Sequence, residues 1–252
     1  MSTAKTGDRN WFDQGGEAYA RFRPSYPDQL TDYLAGTVAD HSLAVDVGCG
    51  TGQLTRQLAG HFDAVLGLDA SADQVANAAA REGVAYGVAP AEDLPLGDRT
   101  ASLVTVGQAA HWFDLPAFYT EFRRVSRKTG VLALVSYGVP CLEGRTGGVF
   151  ADFYGNRIGP YWPAERRLVD SGYADIDFPF HELEKPALHI RLDWNLAELL
   201  GYVSTWSAVR HAREAGEERL LLEFASNMGS AWGDPAARHA ISWPINLRVG
   251  RR

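Results

Sequence analysis

Short apolar runs alternate with longer segments of helical period between about positions 43 and 137. Each apolar run is short enough for a strand and too short for an independent helix. Strands that alternate with helices indicate a parallel sheet with crossover helices on its faces. The pattern therefore predicts a doubly wound α/β fold with five strands at Leu43–Val47, Ala64–Asp69, Val84–Val88, Ala101–Val106 and Gly130–Tyr137.

The segments between these strands carry helix start signals. Ser71 and Gln74 form a capping-box pair that opens a predicted helix over Ser71–Glu82. Asp114 is a predicted N-cap, with Pro116 in the first turn of the helix that follows. The inward faces of the two helices are expected to be Val75, Ala78 and Ala79 in the first and Phe118, Phe122 and Val125 in the second.

The pattern changes after Tyr137. The stretch from Pro140 to about Pro186 is rich in glycine, proline and aromatic residues and predicts a partly helical cap. Beyond it, 187–193 and 241–249 alternate like strands, while 196–209 and 217–228 have a helical period. The chain is therefore expected to return to the same sheet, giving a Rossmann-like, mostly parallel sheet of seven strands.

A length of 252 residues suits one elaborated domain. We predict a single domain over 1–252, with an N-terminal lid (1–40), a core (41–137), a helical and aromatic cap (138–186 and 194–235) and returning strands (187–193 and 240–250). A net charge of −7 argues against nucleic acid as a partner. Cys49 and Cys141 form no zinc or disulfide pattern, and no ligand-type cluster predicts a metal. With no signal-peptide core and no membrane-length apolar run, we predict a cytoplasmic protein with no membrane partner.

The most informative segment joins the first strand to the next helix and reads Asp46-Val47-Gly48-Cys49-Gly50-Thr51-Gly52-Gln53. It lies at the edge of the sheet where open α/β folds bind ligands, and its glycines let a ligand approach the backbone. Asp69 ends the second strand, where an acidic side chain can accept hydrogen bonds from both ribose hydroxyls of a nucleoside. The glycine spacing is GxGxG, which departs from the GxGxxG of dinucleotide sites.

The motif Asp46-Val-Gly-Cys-Gly-Thr-Gly resembles the first motif of the class I S-adenosylmethionine-dependent methyltransferases with a type 11 methyltransferase domain. Further segments resemble the trans-aconitate methyltransferase-like family. They are Tyr19…Arg23-Pro24-Ser25-Tyr26-Pro27, Gly107-Gln108-Ala109-Ala110-His111-Trp112-Phe113, Tyr161-Trp162…Arg166-Arg167…Asp170 and Gly201-Tyr202…Thr205-Trp206-Ser207-Ala208.

The resemblance implies S-adenosylmethionine as the cofactor. It implies that Gly48–Gly52 line the methionine and ribose moieties, that Asp69 holds the ribose, and that Ala91 and Glu92 frame the adenine. Two roles stay open for Asp46, which either orients the loop and meets the cofactor ammonium or is purely structural. Cys49 is expected to be a small neutral filler. The remaining predicted cofactor contacts are Tyr19, Arg23, Thr51, Gln53, Ala70 and Gln108.

Several residues are candidates for binding the molecule that accepts the methyl group. His111 follows the fourth strand and suits a base, a substrate anchor or a packing residue. Arg23 belongs to a segment, 10–27, with an aromatic face that predicts either a lid or a docked terminal helix. The other candidates are Trp112, Tyr154, Tyr161 and Trp162 as pocket walls, and Arg157, Arg166, Arg167 and His189 as cations for an acidic substrate.

We therefore predict methyl transfer from S-adenosylmethionine to a small molecule, in which the protein aligns the reactants and excludes water. A carboxylate oxygen as acceptor is implied by the family resemblance. Three alternatives stay open: O- or N-methylation of a heterocyclic or biosynthetic metabolite, a non-catalytic S-adenosylmethionine-binding protein, and a nicotinamide-dependent dehydrogenase, which the glycine spacing disfavours.

Overall fold

The computed structural model describes residues 22–252. Its first five strands are parallel and lie in the spatial order β3-β2-β1-β4-β5. The order reverses beside β1, as expected for a doubly wound sheet, and the predicted fold is confirmed. The strands are β1 (Leu43–Val47), β2 (Ala64–Asp69), β3 (Val84–Val88), β4 (Ala101–Gly107) and β5 (Ser126–Tyr137).

The later strands extend the sheet beyond β5. They are β6 (His181–Glu182), β7 (Leu188–Trp194) and β8 (His239–Arg251). The long β8 runs antiparallel to β5, and both β7 and β6 pair with β8. The expected return of the chain to the sheet is thus observed, with seven strands of five or more residues and the two-residue β6 in addition.

Four helices pack close to the parallel strands: α1 (Asp28–Gly36), α2 (Gln53–Leu58), α3 (Ala72–Ala76) and α4 (Leu115–Val125). In α4, Asp114 Oδ1 accepts a hydrogen bond from the Ala117 amide at 3.2 Å. The predicted apolar residues Phe118, Phe122 and Val125 are fully buried. The start and the inward face of this helix are therefore as predicted.

The predicted helix over 71–82 is wrong in length and in its buried face. Ser71 does cap it, accepting from the Gln74 amide at 3.3 Å, but α3 ends at Ala76. The Asn77 side chain donates to the Asp73 carbonyl at 2.8 Å and closes the last turn. Because the helix is so short, Gln74 is its buried residue in place of the expected Val75, Ala78 and Ala79.

The cap consists of short helices. They are α5 (Gly144–Asp152), a π-helical turn (Phe153–Arg157), a 3-10 turn (Gly159–Tyr161), α6 (Arg166–Asp170), α7 (Leu196–Ser204), α8 (Ser207–Glu214) and α9 (Glu218–Trp232). The single helix predicted over 196–209 is instead two helices, because Trp206 adopts an extended conformation (φ −76°, ψ 142°) between α7 and α8. Between residues 22 and 252, no helix has the length and apolarity needed to cross a membrane.

Two hydrophobic clusters cover the two faces of the sheet. One packs α4 and the buried Tyr173 and Phe178 against β1, β4 and β5. The other joins α1 and α2 to the cap through alternate residues of β5 and β8. In this second cluster Trp243 of β8 is fully buried, and its ring lies 5.7 Å from that of Tyr202 in α7. The cap therefore packs directly on the sheet.

Candidate active site

A cleft with about 650 Å³ of empty space opens at the carboxyl ends of β1, β2 and β4. This is the edge that the sequence predicts for ligand binding. Nine predicted site residues line it: Arg23, Asp46, Gly48, Cys49, Gly50, Gln53, Asp69, Gln108 and Trp112. The other lining residues are Pro24, Tyr26, Leu54, Gln74, Gly107, Ala109 and Tyr137.

The glycine loop is fixed to β2 by backbone hydrogen bonds. The amides of Gly48 and Cys49 donate to the Leu68 carbonyl at 2.7 and 3.0 Å. The Gly50 amide donates to Asp69 Oδ2 at 2.8 Å. Gly50 has a φ of +55°, and a Cβ placed there would have only Gln74 Oε1 nearby, at 3.6 Å. Gly50 is thus the part of the loop where a ligand can reach the backbone.

Gly52 serves a different purpose from the one predicted. A Cβ at Gly52, whose φ is +80°, would lie 2.7 Å from Tyr86 Cζ. Its missing side chain therefore makes room for the Tyr86 ring, and Gly52 does not line the cleft. Thr51 is also turned inward: it is buried, and its carbonyl accepts from Arg56 Nη1 at 2.8 Å. Thr51 and Gly52, which were expected to contact the ligand, therefore do not line the cleft.

Two carboxylates stand at the floor of the cleft. Asp46 is buried, and its two oxygens accept from the hydroxyls of Thr55 at 2.7 Å and Thr105 at 2.8 Å. Burial raises the Asp46 pKa to about 6, against the lowering effect of the two threonines. Asp69 accepts from the Ser71 amide at 2.8 Å as well as from Gly50. Burial also raises the Asp69 pKa, while its two backbone hydrogen bonds lower it.

Cys49 carries a buried thiol. Burial, assisted by the charges of Asp46 and Asp69, raises the pKa of the thiol. A thiol in such surroundings stays protonated and unreactive. These properties fit the small neutral filler expected from the sequence.

The residues expected to frame an adenine do not line the cleft. Ala70 is exposed and Ala91 is buried. Glu92 Oε1 accepts from the Asp114 amide at 2.9 Å and so fixes the start of α4. Glu92 thus has a structural contact that the sequence did not predict.

Gln108 lies at the end of β4 with a φ of +58°, an uncommon conformation for a residue other than glycine. Its amide donates to the Val135 carbonyl at 2.8 Å, and its side-chain Nε2 donates to the Tyr137 carbonyl at 3.2 Å. Within residues 22–252, its buried Oε1 has no hydrogen-bond partner. A strained residue with an unsatisfied buried acceptor is typical of a ligand site.

Comparison with known proteins identifies the family of this chain. Residues 45–134 match the model of the methyltransferase domain. A protein of the slime mould Dictyostelium discoideum named as a methyltransferase is 33% identical over 88% of this chain and 86% of its own length. The chain belongs to the methyltransferase family. It is a class I S-adenosylmethionine-dependent methyltransferase.

Solved structures agree with this assignment. A protein from Anaeromyxobacter dehalogenans described as a type II methyltransferase is 40% identical, with a TM-score of 0.85 over 91% of this chain and 98% of that one. A methyltransferase from an antibiotic biosynthesis pathway of Anabaena variabilis has a TM-score of 0.53 at 15% identity and shares the fold alone. The dehydrogenase alternative is set aside, and the finer resemblance to the trans-aconitate enzymes stays a prediction.

The segment before α1 closes one side of the methyltransferase cleft. Arg23 Nη1 donates to the Tyr137 hydroxyl at 3.2 Å, and Nη2 donates to the Thr205 carbonyl at 3.5 Å. Its guanidinium also lies 5.4 Å from the centre of the Tyr202 ring. Arg23 thus connects β5 to the junction of α7 and α8. Tyr19, and most of the lid predicted over 10–27, lie outside the described residues.

His111 lies in the 3-10 turn Ala110–Trp112, beside the cleft of the methyltransferase. Its ring centre is 4.8 Å from that of Trp112, and its Nδ1 is 3.0 Å from the Tyr173 hydroxyl. Burial, together with the positive charge of Arg166, lowers the His111 pKa to about 3. His111 is therefore neutral at physiological pH.

Arg166 is a largely buried cation in the cap of the methyltransferase. The Nε of Arg166 donates to the Tyr154 hydroxyl and to Asp170 Oδ1, both at 3.0 Å. Its guanidinium lies 4.6 Å from the Trp162 ring, and its side chain is only 18% exposed. In the part of the chain that the structure describes, neither its terminal nitrogens nor the buried Trp162 Nε1 has a hydrogen-bond partner.

The other cap candidates point elsewhere. Arg157 Nη2 pairs with Glu223 at 2.6 Å on the outer side of the cap, and Arg167 and His189 are exposed. Tyr161 is half-buried, and its carbonyl contacts His211 Nδ1 at 2.9 Å. Of the four cations proposed to bind an acidic substrate, the fold buries only Arg166 among aromatic side chains.

Two lining residues could have been inferred from the sequence. Gln74 follows the Ser71 cap by three residues, so it belongs to the first turn beside Asp69. Tyr137 ends β5 at the same edge of the sheet as the glycine loop. Tyr26 and Ala109 belong to two of the segments that carry the family resemblance, but no local pattern predicted that they would line the cleft.

Proposed function

We propose that this methyltransferase transfers the methyl group of S-adenosylmethionine to a carboxylate oxygen of a small-molecule metabolite. The observation that carries the proposal is Arg166, a largely buried guanidinium whose terminal N–H groups have no partner among residues 22–252. A planar guanidinium binds a carboxylate through paired hydrogen bonds. The buried Trp162 N–H beside it is a further unsatisfied donor.

The part of the cleft around the glycine loop, Asp69 and Gln108 fits the chemistry of S-adenosylmethionine. The open approach at Gly50 suits the methionine moiety, and the carboxylate of Asp69 retains lone pairs for the ribose hydroxyls. The unsatisfied Gln108 Oε1 suits the donor N–H groups of the α-ammonium, with Asp46 as its nearby negative charge. When bound, the cofactor supplies a methyl group on a sulfonium, which is a good leaving group.

A carboxylate acceptor needs no proton removed at neutral pH, so the chain needs to position it and exclude water. We assign positioning to Arg166, which Tyr154 and Asp170 hold through its Nε. Trp112 forms a wall of the cleft. His111, next to Trp112, contacts the acceptor in this proposal as an anchor.

The segment before α1 is proposed to be the lid that excludes water. The contacts of Arg23 with Tyr137 and Thr205 support this role, because they span the cleft and the cap. Limited proteolysis with and without S-adenosylmethionine tests it. We expect cleavage near Tyr19–Arg23 to slow when the cofactor is bound, and equal cleavage in both states would contradict the lid.

The acceptor is tested by incubating the protein with methyl-labelled S-adenosylmethionine and pooled carboxylic acids, phenols and heterocyclic amines. Mild base then distinguishes the products, because a methyl ester releases labelled methanol whereas an ether or a methylated amine does not. Labelled methanol supports the proposal, and a base-stable label overturns the carboxylate acceptor. Arg166→Ala is expected to reduce the label strongly, and Arg157→Ala, which loses only an outer ion pair, is the matched control.

A further inference from the structure

Tyr173 is a residue that the proposed function does not use, although its hydroxyl contacts His111 beside the cleft. It is fully buried and has a φ of +64°, which is strained for a bulky side chain. Its amide donates to the Leu168 carbonyl at 2.7 Å, and its own carbonyl accepts from Arg248 Nη1 at 3.0 Å. The surrounding chain therefore holds this unusual conformation in place.

The strained conformation places the Tyr173 hydroxyl 3.0 Å from His111 Nδ1. Either group could donate the shared proton. A phenol is a stronger donor than a neutral imidazole N–H, and an imidazole nitrogen is a stronger acceptor than a phenol oxygen. The pair is therefore best satisfied when Tyr173 donates to Nδ1, and the imidazole proton then resides on Nε2, where free neutral histidine already prefers it.

Burial and one nearby positive charge keep the imidazole in this neutral state. The lowered pKa of His111 means that a second proton does not bind at physiological pH. The cation responsible for part of that lowering is Arg166, on helix α6, which packs against the turn that carries His111. The imidazole is thus neutral, with one nitrogen accepting from Tyr173.

We propose that Tyr173 is a positioning residue that holds His111 as the Nε2–H tautomer, so that the imidazole gives the methyl acceptor a hydrogen-bond donor and does not act as a base. The inference rests on the proposed function of the acceptor site. The Nε2–H group of His111, the guanidinium of Arg166 and the indole N–H of Trp162 would form a site of three hydrogen-bond donors. Such a site selects acceptors that present carboxylate or carbonyl oxygens. It disfavours acceptors that must lose a proton to His111.

The tautomer is tested directly by NMR of the full chain with ¹⁵N-labelled histidine, without cofactor or acceptor. The His111 resonances are assigned by their loss in His111→Gln. We expect an unprotonated Nδ1 and a protonated Nε2 in the wild type. In Tyr173→Phe, which removes only the hydroxyl, we expect both shifts to move toward the average of the two tautomers.

Tyr119→Phe is the matched control, because Tyr119 is also buried but donates its hydroxyl to the Asp177 carbonyl at 2.7 Å, away from His111. The control should leave the His111 resonances unchanged, and thermal melting checks that both variants are folded. A protonated Nδ1 in the wild type, or unchanged His111 shifts in Tyr173→Phe, would overturn the proposal. Neither result depends on turnover, so the methyltransferase activity is judged separately.

Turnover of the acceptor found in the labelling experiment supplies a second test. Glutamine can replace the Nε2–H donor but cannot act as a base, whereas phenylalanine can do neither. We expect kcat/KM for the acceptor to fall about tenfold more in His111→Phe than in His111→Gln, with KM for S-adenosylmethionine little changed in either. Equal losses in the two variants would contradict the donor role.

Discussion

The buried carboxylate of Asp46 gives a prediction about stability. Its folded-state pKa of about 6 exceeds the ordinary 3.8, so the folded protein binds this proton more tightly than the unfolded chain does. The resulting stabilisation is fully present below pH 3.8 and is lost as the pH rises through about 6. At about 1.4 kcal/mol for each pH unit between the two values, the loss is about 3 kcal/mol.

Asp46→Asn removes this titration while keeping a side chain that can hydrogen-bond to both Thr55 and Thr105. We expect the free energy of unfolding of the variant, relative to the wild type, to rise by about 3 kcal/mol between pH 3.5 and pH 7.5. Because the prediction concerns the change in this difference, any fixed effect of the substitution cancels.

Urea unfolding followed by tryptophan fluorescence at several pH values measures the difference in unfolding free energy between Asp46→Asn and the wild type. Asp40→Asn is the control, since Asp40 is only partly buried and the Ser42 backbone amide lowers its pKa, so its titration lies below that of Asp46. A difference between wild type and Asp46→Asn that stays constant across the pH range would refute the assigned cost of burying this charge.

Three further outcomes are expected. Asp69→Ala should weaken binding of S-adenosylmethionine by about 1–3 kcal/mol in calorimetry, and unchanged affinity in the folded variant would contradict its ribose role. Gly52→Ala should lower the free energy of unfolding by about 1–3 kcal/mol more than the control Gly144→Ala. Both glycines have positive φ, but only Gly52 packs against Tyr86, so equal melting curves would count against this. Arg166→Ala should lower kcat/KM for the acceptor about 100-fold while Arg157→Ala changes it little, and similar losses in the two would exclude Arg166 as the anchor.

The core of the fold was predictable because strand and helix patterns there are local. The bounds of β1, β2 and β3 agree with the sequence pattern, and so does the cap of α4 at Asp114. The Trp206 break between α7 and α8 was not predictable, since it depends on a side chain that packs against Trp162, which is distant in sequence. Local periodicity carries no information about such contacts.

The candidate site was predictable where backbone geometry decides it. Gly50 and Asp69 lie at the cleft because of their positions at strand ends. Gly52 was misread because its neighbour Tyr86 is distant in sequence, and nothing near Gly52 reveals that contact. Tyr173 was also missed, since its link to His111 spans 62 residues and depends on a strained backbone.

The aromatic cap around Trp206 has a consequence for how substrate preference can change. The Trp206 ring lies 5.3 Å from Trp162, which we propose to contact the acceptor, 5.8 Å from Phe150 and 5.6 Å from Tyr202, which packs on the sheet. The proposed acceptor site and the hydrophobic core are therefore one packed unit. A substitution that reshapes the pocket for another acceptor also disturbs the core, so new specificities are expected to require compensating, stabilising changes elsewhere in the chain.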